Sequence, residues 1–199
     1  PELFRLALKL ATGAGKTTVM AMLIAWQAVN AKRSPNSKNF TRGFLVVSPG
    51  ITIKERLQVL QPSDPASYYA NNELVPLDML DDVRHAKIVI TNYHAFRKRE
   101  LLDLAKGTRQ FMEGWRGEQM ATTETEGQML QRVMSELMGM KQVLVINDEA
   151  HHCYREKLMD EEERKALIKK SIEENNEAKQ DREAARMWIS GIEAVSRKI

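Results

Sequence analysis

The stretch "LATGAGKTT" (residues 10–18) constrains the fold more than any other part of the chain. Before it, Phe4, Leu6, Leu8 and Leu10 alternate with Arg5, Ala7 and Lys9, the period-two pattern of a strand. After it, Met20, Leu23, Ile24 and Ala28 fall one turn apart over residues 17–31, the apolar face of a helix. Gly13 and Gly15 stand between the two patterns, where a Cβ would obstruct a tight turn. A strand turning through glycines into a helix is the opening move of an α/β fold. Three further apolar runs, "GFLVVS" (43–48), "KIVIT" (87–91) and "QVLVIN" (142–147), are separated by helical stretches. Strands rich in Val, Ile and Leu alternating with helices predict a mostly parallel sheet covered on both faces.

Between the strands, residues 53–61 predict a short helix stopped by Pro62, and residues 128–138 a helix leading through Gly139 to the last strand. Residues 34–39 read as a polar loop and 62–76 as an irregular connection. Residues 155–186 differ in kind, dense in both charge signs with few apolar side chains, as in a solvated helical insertion held by spaced ion pairs. At 199 residues and 43% hydrophobic content the chain suits one domain spanning 1–199, with that insertion inside it. A single cysteine, Cys153, gives no disulfide framework, and no apolar run approaches the roughly 20 residues needed to span a bilayer. A soluble, cytoplasmic protein with no membrane partner is expected. The absence of an initiator methionine suggests a piece of something longer. Charge is uneven: residues 1–117 carry 17 Lys and Arg against 10 Asp and Glu, and residues 118–199 carry 13 against 17. A basic first part beside an acidic second part suits a polyanion partner for the first.

The glycine turn has the chemistry of a phosphate cradle. Its backbone N–H groups, from Thr12, Gly13, Ala14 and Gly15 into Lys16, Thr17 and Thr18, can converge on phosphate oxygens at the positive end of the following helix. Lys16 would bring its charge to the β and γ phosphates, and Thr17 a hydroxyl to a magnesium ion. A second constellation, "VLVINDEAHH" (143–152), places two acids directly after an apolar strand, at the end where open α/β sheets bind ligands. Asp148 suits magnesium, and Glu149 suits a base that orients and deprotonates an attacking water. The neighbours His151, His152 and Cys153 are adjacent in sequence and cannot easily converge on one metal ion.

Together "LATGAGKT" and "DEAH" resemble motifs I and II of superfamily 2 helicases and translocases. With the bulky Leu10 at the first position, the string "NDEAHHCY" looks most like the restriction (res) subunit of type III restriction enzymes. That resemblance implies a RecA-like P-loop NTPase domain, the first of two motor domains, with ATP and Mg2+ as cofactors and Lys16 and Glu149 as catalytic residues. It implies that His151 couples nucleotide state to the neighbouring motor domain. "VVSPGITIKERL" (46–57) and "IVITNYHAF" (88–96) resemble motifs Ia and Ib, which would bring Ser48, Pro49, Gly50, Thr91 and Asn92 to a DNA backbone. "FRKRE" (96–100) adds three cations beyond that turn.

The partners implied are DNA, a second RecA-like domain and a nuclease domain of the same parent, and a modification methyltransferase subunit. Nothing after Glu149 resembles motif III, and no second domain or paired-acid nuclease motif follows, so the 199 residues alone are expected to hydrolyse ATP slowly or not at all. "MWISGIEAV" (187–195) looks like the segment just before motif III, and Trp26, Trp115 and Trp188 read as core or domain-interface residues. A P-loop NTPase switch, a stand-alone repair helicase domain and a non-catalytic interaction module are the other readings.

Overall fold

The computed structural model describes residues 5–11, 13–99, 123–150 and 176–199. Three parallel strands, β1 (Gly43–Ser48), β2 (Lys87–Asn92) and β3 (Leu144–Asn147), form a sheet in the order β2-β1-β3. Register pairs Ser48 with Asn92 and Val47 with Asn147, so the carboxyl ends of all three strands reach the same edge. The sequence reading placed β1 at its observed bounds, β2 one residue short, and β3 two residues too early at its start.

All six residues of β1 are buried, as expected for a central strand covered on both faces. Alternate side chains divide the core. Phe44 and Val46, with Ile88, Ile90, Leu144 and Ile146, face helix α1 (Lys16–Arg33) and the segment carrying Leu57, Leu60, Tyr69 and Val83. Leu45 and Val47, with Val89 and Val145, face helix α5 (Glu126–Met134) and the C-terminal helix α6 (Asn176–Lys198). Three short helices, α2 (Ile51–Arg56), α3 (Tyr68–Asn71) and α4 (Leu80–Arg84), line the connection from β1 to β2.

Local chemistry explains the helix limits. α1 presents Met20, Ala21, Ile24, Ala25 and Ala28 to the sheet, and its last turn carries Lys32 and Arg33, which suit the negative end of the helix dipole. Arg33 ties that end to α4 through Asp82 at 2.7 Å. α5 starts with a capping box: Thr125 Oγ1 accepts from the Gln128 N–H at 3.3 Å, while Gln128 Oε1 accepts from the Thr125 N–H at 2.9 Å. The helix expected from residue 53 starts at Ile51 and tightens into a 3-10 turn over Leu57–Leu60 before Pro62. The connection expected to be irregular over 62–76 contains α3, anchored where buried Tyr69 donates to Leu60 O at 2.9 Å.

One expectation needs correction. Residues 5–11 are not a strand: Leu6, Leu8 and Leu10 are 74, 56 and 38% exposed, and the segment joins no sheet. Alternation supplies an apolar face, but a strand also needs a neighbour to satisfy its backbone, and this segment has none among the described residues. Of the two described tryptophans, read as core or domain-interface residues, Trp188 is core, while Trp26 is 55% exposed and packs edge-on to Phe40 at 5.5 Å between centroids. Trp188 stacks on Tyr93 at 5.0 Å and 7°. Trp115 and residues 155–175 of the charged segment lie outside the described residues; residues 176–186 begin α6, which continues unbroken through Trp188. Among the described residues no helix is long and apolar enough to cross a membrane.

Candidate nucleotide site

The glycine turn closes in the conformation its composition requires. Gly13 and Gly15 both have φ of +78°, in the left-handed region that L-residues with a Cβ rarely adopt. Ala14 N–H donates to Ala11 O at 3.2 Å, and Gly15 caps α1 without any side-chain acceptor. The first helical hydrogen bond runs from Val19 N–H to Gly15 O at 3.1 Å. The N–H groups of Lys16, Thr17 and Thr18 therefore precede the helical ladder, and the first turn holds no acidic side chain that would compete for them. An anion is the natural ligand of such a turn.

The acids arrive from the other end of the core. Asp148 N–H donates to Val47 O at 2.9 Å, extending the β1–β3 pairing one residue beyond the strand and fixing the carboxylate at the strand end. Asp148 is 9% exposed; burial, reinforced by the neighbouring Glu149 charge, raises its carboxyl above the ordinary aspartate range. Glu149 turns back at once, its N–H donating to Asp148 Oδ1 at 3.1 Å, with φ of 52°. Glutamate in that region is held against its preference by its surroundings, a condition common at functional sites. Its carboxylate receives the Lys16 ammonium in a half-buried ion pair. That hydrogen bond to Glu149 is the main reason the lysine is held above its ordinary pKa.

The loop and the strand-end acids, 133 positions apart, thus meet as one cluster. Asp148 at the strand end and Thr17 at the start of α1 are the side chains that could hold a magnesium ion here. Thr12 and His151 lie outside the described residues.

The residues expected to touch nucleic acid occupy the same carboxyl edge, and two of them, Ser48 and Thr91, face inward. Ser48 is fully buried and its hydroxyl donates to Gly50 O at 3.1 Å. Thr91 is also buried, and Asn92 Oδ1 accepts from Ala95 N–H at 3.1 Å, capping the 3-10 turn Tyr93–Phe96. Pro49 and Gly50 are half-buried. The side chains of Ser48, Thr91 and Asn92 are therefore engaged in shaping the turns.

A family model described as "Type III restriction enzyme, res subunit" matches residues 2–180. The chain belongs to that family. No curated protein and no solved structure matches it. The res-family assignment makes the chain a helicase-type ATP-binding motor domain with the P-loop NTPase α/β fold, and the three-stranded parallel sheet agrees with it.

One network of this res-family chain was not legible in its sequence. Arg132 of α5 binds buried Glu124 at 2.7 and 2.9 Å and donates to the carbonyls of Ala95 and Arg97. Side-chain bonds to backbone oxygens leave no residue pattern. The only hint was one acid and one base eight positions apart.

Proposed function

We propose that the chain is the first motor domain of a type III-like restriction enzyme, a single RecA-like unit carrying a charged insertion at 155–186, in which ATP hydrolysis drives movement along DNA. The Lys16–Glu149 contact carries this reading, because it unites the phosphate cradle with the acid needed to activate water. The backbone of residues 12–18 binds the triphosphate, with Lys16 moving from Glu149 to the β and γ phosphates as the nucleotide enters. Freed of its cation, Glu149 accepts the proton of the attacking water. Asp148 and Thr17 would hold magnesium, which would neutralise phosphate charge. His151 relays nucleotide state to a second RecA-like domain, and the turns at Ser48–Gly50 and Thr91–Asn92 support contacts to the DNA backbone.

A nuclease domain and a modification subunit complete the proposed assembly. Closure of the cleft between two motor domains on ATP, and reopening after hydrolysis, would produce stepwise translocation. The test is ATP turnover by the parent protein with and without duplex DNA, alongside Lys16→Ala and Glu149→Gln. DNA stimulation that both substitutions abolish is the expected result. DNA-independent turnover at the same rate would instead indicate a nucleotide switch.

A further inference from the structure

The turn Tyr93–Phe96 is followed by three successive exposed cations, Arg97, Lys98 and Arg99. None of their side chains makes an ion pair or hydrogen bond among the described residues. Two carboxylates lie close enough to neutralise them, but both are committed elsewhere. Glu124 is bound by Arg132 at 2.7 Å, and Glu126 by Arg197 at 2.8 Å.

The backbone of this charged segment is unusually well fixed for a surface stretch. Arg132 Nη1 donates to Ala95 O at 2.9 Å and its Nη2 to Arg97 O at 3.0 Å. Arg99 N–H donates to Glu124 Oε2 at 3.1 Å, and Glu124 N–H donates back to Arg99 O at 2.8 Å. A segment that only displays charge to water needs no such clamp. A ligand-binding segment gains from one, because its ordering cost is met during folding rather than at binding.

We infer that Arg97, Lys98 and Arg99 form a pre-ordered contact for the phosphodiester backbone of a nucleic acid, with Glu124 and Arg132 as positioning residues. The inference rests on the DNA-motor reading above and adds to it residues beyond the two strand-end turns. The segment follows β2 at the edge that also carries Asp148 and Glu149, so a strand held there lies on the nucleotide side of the sheet. Among the described residues of the turn, the large apolar side chain of Phe96 is buried rather than offered to a membrane surface.

The test uses the 199-residue chain and a fluorescent 20-base-pair duplex, with anisotropy recorded between 50 and 200 mM salt. Each lost phosphate contact lowers the slope of log affinity against log salt by about 0.9. Arg97→Ala/Lys98→Ala/Arg99→Ala should therefore lower it by about 2 to 3 and weaken binding about tenfold or more. Arg132→Lys keeps the charge but cannot span both carbonyls and Glu124, so it should weaken duplex binding several-fold while leaving affinity for a fluorescent ATP analogue unchanged. An unchanged slope in the triple variant overturns the inference alone. Wild-type binding of nucleotide without duplex at any salt overturns the DNA reading as well, as does binding of anionic vesicles in place of duplex. Duplex binding by Arg132→Lys equal to wild type removes the positioning role. If Arg132→Lys fails to melt cooperatively, the triple variant, confined to exposed side chains, still decides the inference.

Discussion

Lys16 and Glu149 are joined by an ion pair across 133 positions of sequence, one at the first turn of α1 and the other just past β3. Each charge therefore has a partner, and a triphosphate that reaches the lysine must displace the glutamate. Removing the Glu149 charge frees Lys16 and lessens the repulsion of an incoming polyanion. Glu149→Gln should tighten binding of a fluorescent ATP analogue by severalfold, whereas Lys16→Ala should weaken it by tenfold or more. Titration of both variants checks this, and weaker binding by Glu149→Gln would count against displacement.

Asp148 has a cost of its own when nucleotide is absent. Burial and the Glu149 charge raise its carboxyl above the ordinary range, so the folded chain holds this proton more tightly than the unfolded chain does. Its contribution to stability is then largest below the unfolded pKa and declines as pH rises through the folded one. At neutral pH, without nucleotide, Asp148→Asn should raise the melting temperature while impairing magnesium-dependent nucleotide binding. A lower melting temperature than wild type would contradict the assignment.

Glu124 behaves in the opposite sense. Its hydrogen bonds with Arg132, assisted by the Arg99 backbone N–H, lower its carboxyl from 4.5 to about 2. The stability it supplies is complete above the unfolded value and is lost as pH falls toward about 2. Glu124→Gln should flatten the pH dependence of denaturant unfolding between about pH 4.5 and 2, and an unchanged acid limb would show that the pair adds nothing.

Close packing makes a separate prediction at Gly191 of α6. A Cβ at this position would stand 2.4 Å from Phe96 Cγ and 2.8 Å from its Cβ. Phe96 is buried, so relief requires movement of the turn itself. Gly191→Ala should destabilise the chain by about 1 to 3 kcal/mol. At Gly127 in α5, where an added Cβ meets nothing within 4 Å, the same change should stabilise by about 0.5 to 1 kcal/mol. Urea midpoints for the pair would show opposite shifts.

Much of the sheet and of the Lys16, Asp148 and Glu149 cluster could be read from sequence because each element carries its own periodicity. Leu45 and Val47 differ in face from Phe44 and Val46 by the pleat alone. The glycines before Lys16 and the acids after Asn147 each needed a strand end beside them, which nearby apolar residues signalled. Leu6, Leu8 and Leu10 carry the same alternation yet join no sheet, because pairing belongs to two segments and sequence shows one at a time. The Tyr93–Trp188 stack and the Arg132 clamp were hidden for the same reason. The left-handed backbone of Glu149 was hidden differently, since nothing about a glutamate announces it.

The contact between Gly191 and Phe96 has a mechanical meaning. With no room for a methyl group between them, the C-terminal helix and the turn after β2 have no play, and close-packed interiors pass displacement on rather than absorb it. A displacement of α6 would therefore be passed to Phe96 and to the backbone of Arg97 beside it, where the three cations begin.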